Sequence, residues 1–449
     1  MKRLSRSIRT VSALTSLTIG LSVLGLSSSP AQAAGCDPAG VRWASTSNTV
    51  YLSGPITCTL TDLDALTKAP LTLVAPAARV WLLGANVVLQ QGATLQVHGS
   101  EVGGDADELR LRSNNTTATT STVFIRAYAG NISLHSTKVT SWDEGAKRPD
   151  TEYATYKRSY IHARSFLDGA GVARQSRMDI TDSDIGYLGY KGAEAYGLAW
   201  KVLGTGVFDK VDVFGDVVNS RIHHNYFGLY TYGGFGMKFV NNDIHNNIQY
   251  GLDPHDDSDS LLIEGNRSYD NGNHGIICSQ RCDNLTIRNN VSERNTGHGI
   301  MLHRSVTKSV VENNTVTANT DTGIVLFESF ENRVAGNTVT GNLRGIRLSV
   351  GSANNVIEGN TFARNTSYGI YLYKGSDAPV DGDGRPKFNR FVANQIRDNG
   401  SYAVRAIDSD DNVFDGNVFS GNKGGILFER SFRNQVINST PADIRVESR

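Results

Sequence analysis

Through the second half of the chain, apolar and β-branched residues alternate with polar ones over short runs. Gly299-Ile300-Met301-Leu302, Ser309-Val310-Val311 and Asn314-Thr315-Val316 are typical. Such spacing predicts strands, and no window sustains the 3.6-residue period of a helix. The runs also repeat. A glycine followed by an apolar residue recurs at Gly228, Gly251, Gly275, Gly299, Gly323, Gly345 and Gly369, in steps of 22–24 residues. Two asparagine series keep phase with it. One runs Asn242, Asn266, Asn290, Asn314, Asn337, Asn360, Asn394, Asn417; the other Asn247, Asn271, Asn295, Asn319, Asn342, Asn365, Asn399, Asn422. Both jump by 34 once, at the same place, which predicts an inserted loop within residues 375–388.

Three short strands per repeat, with Gly and Asn at the corners, describe an all-β chain: a right-handed parallel β-helix with N-terminal excursions. Corners call for residues that tolerate left-handed backbone angles, and asparagine amides stacked coil on coil can hydrogen-bond along the axis. The LxxLxL pattern of leucine-rich repeats is missing. The pattern is looser before residue 210, where 80–83 and 93–97 still read as stacked strands and 105–121 and 142–160 read as excursions. The expected organisation is a signal peptide over 1–33, an N-terminal cap over 34–70, the β-helix over 71–440 and a tail over 441–449. Covered ends are expected because open strand edges aggregate.

Lys2, Arg3, Arg6 and Arg9 precede a mostly apolar stretch, and Ala31-Gln32-Ala33 fits a small-x-small cleavage site. The expectation is export, to the periplasm or the medium, without stable membrane association. The chain has 44 basic and 44 acidic residues; loss of the leader's four cations would leave a net charge of −4. That argues against a general nucleic-acid binder. Nothing in the pattern asks for a second subunit, so a monomer is expected. Export permits disulfides, and sequence proximity pairs Cys36 with Cys58 and Cys278 with Cys282.

One repeat departs from its neighbours. Tyr250-Gly251-Leu252-Asp253-Pro254-His255-Asp256-Asp257-Ser258 places titratable groups where other coils carry Ile, Val and Leu. Stacked coils lie about 4.8 Å apart, so residues one repeat apart sit side by side. Counted from the repeat glycine, His255 aligns with His303. Asp256 aligns with Arg304 and Glu328, and Asp253 with Arg347, while Arg281 falls one position further along. A stripe of charged and imidazole groups along one side follows.

The YG-x-DPHD-x-S segment resembles the signature of the mannuronan C5-epimerases, which convert mannuronate to guluronate within alginate. Segments around Tyr226–Tyr230, His274–Ile277, Arg304, Glu328 and Arg347 also resemble that family's calcium-independent members, and the likeness spans roughly 75–435. The resemblance implies His255 as general base, Tyr250 and Asp253 as active-site residues and Arg281 as the partner of the substrate carboxylate. The chemistry of these residue types agrees. Removing a proton α to a carboxylate requires that its charge be neutralised, which Arg281 or Arg304 could do bidentately. An imidazole with an intrinsic pKa of about 6.5 suits proton abstraction. Asp253 or Asp256 could orient it, and Tyr250 or a water could return the proton.

Asp256, His303 and Arg304 are the candidate substrate contacts. Glu328 and Arg347 read as a structural ion pair, and His223, His224 and His245 as corner residues. Lys201 and Lys238 have no direction fixed by the sequence. The cluster Asp253/Asp256/Asp257/Asp259 could take Ca²⁺, but no cofactor is required. Asp381-Gly382-Asp383-Gly384 reads as an inserted loop. The expected partner is an anionic polysaccharide, a polyuronate. Epimerisation is the first reading. The alternatives are a polyuronate lyase, sharing the proton abstraction but expelling the C4 substituent, and a non-catalytic carbohydrate-binding β-helix.

Overall fold

The computed structural model describes residues 35–113, 122–380, 382–440 and 443–447. The expected signal peptide, Asp381 and parts of the tail lie outside these residues. Among the described residues the strands build three long, mainly parallel sheets, and each coil gives one strand to each sheet. Ile300–His303, Val310–Glu312 and Thr315–Thr317 form one such coil. The chain is a parallel β-helix, as its periodicity requires. Inward-facing residues stack in columns, with Ile276, Ile300, Ile324 and Ile346 aligned in register and fully buried.

The asparagine series are interior ladders. Asn266 Nδ2 donates to Asn290 Oδ1 at 2.9 Å, and Asn290 Nδ2 to Asn314 Oδ1 at 3.0 Å. Each Oδ1 also accepts the backbone N–H of the asparagine one coil earlier, and each Nδ2 also reaches a carbonyl. A third ladder, Asn332, Asn355, Asn389, Asn412 and Asn434, runs beside them. The left-handed corner residue is the one before each ladder asparagine: Asn241, Gly265, Asn289, Asn313 and Gly336 in the first series. The asparagines are therefore there for their buried amides, not for backbone freedom. The repeat glycines are likewise not left-handed. A Cβ on Gly228 would lie 2.1 Å from the Gly251 carbonyl oxygen, so close approach of successive coils demands glycine.

Two local readings change. Glu108–Ser113 is a strand of the third sheet rather than part of an excursion. Its charged residues Glu108, Arg110 and Arg112 face outward while Leu109 and Leu111 are fully buried. The chain does leave the stack after Asp143, pairing back through Arg148–Pro149. It is pinned where Arg158, almost fully buried, donates to the carbonyls of Leu188, Gly189 and His224. At the N-terminal end the helix Leu60–Leu66, closed by a Thr59/Asp62 capping box, inserts Leu60 and Leu63 into the core. The pairs Cys36–Cys58 and Cys278–Cys282 are both at bonding distance. The 34-residue jump is a loop between Ile370–Tyr373 and Arg390–Val392. No helix among the described residues is long and apolar enough to cross a membrane.

Replacing Asn290 by alanine strips partners from the Asn266 N–H, the Ile263 carbonyl and the Asn314 amide. The expected cost is about 3 kcal/mol or more. Asn289→Gly, at the exposed left-handed position beside it, should cost under about 1 kcal/mol. Chemical denaturation of the two variants checks the contrast; equal losses would remove the ladder from the account.

Candidate active site

The first sheet carries the unusual repeat. Two outward columns run along it. One passes through Ala199, Tyr230, Asp253, Ile277, Met301, Val325 and Arg347; the other through Lys201, Tyr232, His255, Ser279, His303, Phe327 and Ser349. The glycine count placed Asp253 and Arg347 in one column, and His255 and His303 in one column, and the register agrees. Asp256, Gln280, Arg304 and Glu328 follow at the corner, linked by backbone hydrogen bonds from coil to coil.

At the centre, His255 Nδ1 lies 2.7 Å from Asp256 Oδ2. The other Asp256 oxygen accepts from Arg281 Nη2, while Arg281 Nε donates to Asp257 Oδ2 at 3.0 Å. The imidazole is thus held by a carboxylate that is itself held by a guanidinium. His255 Nε2 has no partner among the described residues. Tyr232 lies nearly parallel to the imidazole, with ring centroids 6.4 Å apart, and Tyr230 stands 5.9 Å away. Burial alone would lower the His255 pKa; the Asp256 hydrogen bond and the nearby Asp253 and Asp256 charges outweigh it and raise it. Asp256 stays ionised, since His255 and Arg281 overcome its burial and lower its pKa. Asp253 is 2 % exposed and its Oδ1 has no hydrogen-bond partner; burial pushes its carboxyl up to about 7. Tyr250 is half-buried, edge-on to Phe227, and burial, then Asp253, raises its phenol.

The remaining candidates sort by their partners. Arg281 shares its charge between Asp256 and Asp257, so only its outer N–H groups remain for a ligand. The disulfide Cys278–Cys282 brackets Ser279, Gln280 and Arg281, and Gln280 and Arg281 are both left-handed. His303 Nδ1 meets Ser279 Oγ at 2.9 Å, and burial, then Arg304, lowers its pKa to about 4. Arg304 bonds Glu328 at 2.9 Å and Asp377 of the inserted loop at 3.1 Å. The expected Glu328–Arg347 pair does not form. Glu328 follows the end of its strand, three positions beyond the Val325–Arg347 column, and meets Arg304 at the corner, while Arg347 projects from the middle of its strand and has no ion pair among the described residues.

Lys201 faces this side, two coils before His255, over the Tyr232 ring and paired to Glu194. Lys238 belongs to the second sheet. His223 and His245 are strand residues of the third sheet, stacked on each other, with Tyr269 stacked on His245; His224 meets both imidazoles edge-on, and only His224 is left-handed. Sequence reasoning passed over Tyr230 and Tyr232. Both follow from Gly228 by the offsets that gave Asp253 and His255, so the signal was present. It also passed over His274 and His298. Their rings stack at 4.7 Å, and each Nδ1 accepts a backbone N–H, from His298 and Thr322. Burial lowers both pKa values, His274 to about 4, so both stay neutral with Nε2–H as a donor.

Residues 212–371 match the model of a family described as periplasmic copper-binding protein (NosD). The mannuronan C5-epimerase of Pseudomonas aeruginosa is 31% identical over 195 residues, which is 42% of this chain and 32% of that protein. Mannuronan C5-epimerase AlgG of Azotobacter vinelandii is 28% identical over 202 residues, 44% of this chain and 35% of its own. The chain spans about a third of the length of the curated relatives it matches. Among solved structures, the periplasmic alginate epimerase AlgG superposes with a TM-score of 0.69 at 22% identity, covering 88% of this chain and 85% of that one. The A-module of the Azotobacter vinelandii mannuronan C-5 epimerase AlgE6 reaches 0.50 at 16%, covering 80% and 92%. These define the class of the fold, a parallel β-helix of the kind seen in AlgG.

Among the described residues the donor sets do not suit a metal. His223 Nδ1 is bonded to His224 and its Nε2 to Asp184. Asp256 and Asp257 are committed to His255 and Arg281, and Asp259 accepts the Asp283 N–H. Among the described residues no group of three or more His, Cys, Asp or Glu side chains is placed to hold an ion.

The His255 imidazole should titrate above its ordinary value of about 6.5. Asp256→Asn removes the carboxylate that raises it and should move it down. Arg281→Ala removes a cation that lowers it and should move it up. Imidazole NMR titration of the three proteins reads both signs; two shifts in the same direction would contradict this wiring.

Proposed function

We propose that this protein is an exported C5-epimerase that converts mannuronate to guluronate residues within alginate or a closely related polyuronate. The observation that carries the reading is the oriented imidazole: Nδ1 held by ionised Asp256, Nε2 free, at the middle of a long face lined by successive coils. Support also comes from the likeness to a mannuronan C5-epimerase over 42% of the chain.

In this reading His255 Nε2 takes the proton from C5. The imidazolium so formed is stabilised by Asp256 and by Asp253 beside it, the same groups that raise its pKa. Arg281 holds Asp256 in place and offers its outer N–H groups to the substrate carboxylate as negative charge moves onto it. Since its charge is already shared with two carboxylates, hydrogen bonding rather than net charge is its main contribution. The proton returns from the opposite face, from Tyr250 or a water. The raised phenol pKa keeps Tyr250 protonated and able to donate. No step is routed through a metal, and activity is expected to persist in EDTA. The abstracting form is neutral His255, so kcat should rise with pH through a limb lying above about 6.5.

Purified protein incubated with polymannuronate in D₂O should give guluronate signals with deuterium at C5 in proton NMR, with no new unsaturated-uronate absorbance. His255→Ala should lower kcat by about 10²–10⁴-fold while the circular dichroism spectrum is unchanged. New absorbance with shorter chains would make the protein a lyase. A fully active His255→Ala would remove the base.

A further inference from the structure

The corner that follows each first-sheet strand is closed differently in the coil that carries Arg281. Seven residues past the repeat glycine stand Ser258, Cys282 and Val306, and bridges through Thr307, Phe330 and Ala353 continue this position to Ser329 and Ser352. All five are buried. The three serines turn their hydroxyl back onto a carbonyl of their own corner. Ser258 Oγ donates to the His255 carbonyl at 2.7 Å, Ser329 Oγ to that of Phe327 at 3.0 Å and Ser352 Oγ to that of Ser349 at 2.9 Å. Cys282 has no hydrogen to donate, because its sulfur is bonded to Cys278. At this one corner a covalent bond stands where other coils use a hydroxyl.

Cys278 and Cys282 are four residues apart, whereas Cys36 and Cys58 are 22 apart. Closing so short a loop constrains the unfolded chain less, so this bond adds less to the stability of the whole fold than the other. Its effect is local. Of the three residues it encloses, Gln280 and Arg281 have φ of 72° and 54°, a conformation that residues with side chains avoid. Their N–H groups bind the His303 and Arg304 carbonyls at 2.7 and 2.9 Å. From this corner Arg281 reaches back one coil to Asp256 and Asp257. Its side chain is 40 % exposed, so packing fixes it only in part, and a long side chain loses much rotamer freedom when held. The direction in which it leaves the backbone therefore decides where the guanidinium ends. Both cysteines are buried in the core, out of reach of solvent reductants, and export keeps the bond oxidised.

We propose that Cys278 and Cys282 are positioning residues of the site: their disulfide fixes the corner from which Arg281 reaches Asp256, and through Asp256 it orients the His255 imidazole. The consequence for turnover rests on the proposed function; the consequence for the imidazole does not. The groups that face His255 are Asp253 and Asp256 of its own coil, Tyr230 and Tyr232 of the coil before, and Arg281 and His303 of the coils after. Of the charged ones, only Arg281 is carried by the bonded corner. Loosening that corner lets the guanidinium drift from Asp256, which weakens its effect on the imidazole and misplaces the N–H groups offered to the substrate carboxylate.

The test compares wild type with Cys278→Ala/Cys282→Ala, Cys278→Ala/Cys282→Ser and Cys36→Ala/Cys58→Ala, by kinetics on polymannuronate and by NMR titration of His255. The first pair is also made in an Arg281→Ala background. Cys278→Ala/Cys282→Ala should lower kcat by about tenfold or more with KM changed less, and raise the His255 pKa in the direction expected for Arg281→Ala. With Arg281 already removed, the same pair should change neither quantity further, because its effect passes through that side chain. Cys282→Ser should recover part of the loss, since its hydroxyl can take the Ser279 carbonyl as Ser258 takes that of His255. Cys36→Ala/Cys58→Ala should lower the thermal midpoint and leave kcat and His255 unchanged. An imidazole and a kcat that ignore loss of Cys278–Cys282 would overturn the proposal. So would a loss of equal size with and without Arg281, or failure of both Cys278 variants to fold, which marks a bond needed by the fold alone. Should wild type epimerise nothing, the proposed function fails, and the titrations decide the positioning role by the same comparison: a shift that vanishes in Arg281→Ala sustains it, and an unmoved imidazole overturns it.

Discussion

Every feature of this molecule depends on coil stacking on coil in fixed register. A parallel sheet by itself specifies register only through its inward apolar residues, and identical Ile and Val columns leave a slip of one coil cheap. The buried asparagine ladders remove that freedom. Each amide satisfies a backbone N–H of the preceding coil, a carbonyl and the next amide, so a misplaced coil would bury several unpaired polar groups at once. The repeat glycines act in the same sense, because coils approach where only hydrogen fits. Precision along the axis is what lets residues tens of positions apart in sequence form one site.

The site uses this scaffold with few changes. Elsewhere the outward positions of the first sheet carry pairs such as Tyr230 and Tyr232 or Val325 and Phe327. At one coil they become Asp253 and His255, and the corner that follows becomes Asp256 and Asp257. The same corner one coil on supplies Arg281. The His255–Asp256–Arg281 chain is therefore a product of stacking, not of sequence adjacency alone. Asp253 is the costly element: a fully buried carboxyl with one oxygen unpartnered. Its cost is tolerated by a scaffold of many rigid coils, and its charge makes the adjacent imidazole a stronger base. Such violations of the rules of the core concentrate at functional sites.

Much of this was legible from residues. The glycine and asparagine periods gave the fold, the three strands per coil and the position of the inserted loop, and sequence proximity gave the two cysteine pairs. The offsets from each glycine placed His255, Asp253, His303 and Arg347 in their columns. The same offsets would have given Tyr230 and Tyr232. Less legible was the N-terminal third, where the repeat glycine is missing and strands such as Glu108–Ser113 carry charges on the outer face. Without that ruler the N-terminal strands could not be aligned with Asp253.

By itself the sequence determined the period, and with it the β-helix and the stripe of chemistry along one side, because a strict repeat maps sequence offset onto spatial column. Only the tertiary structure decided how the charges are shared along that stripe. The count sets Glu328 three positions beyond the column of Arg347; at the corner Glu328 meets Arg304, to which the inserted loop adds Asp377, and among the described residues Arg347 is left without an ion pair. Pairing depends on side-chain direction over distances of a few ångströms, and on loops that cross several coils. A one-dimensional period carries neither.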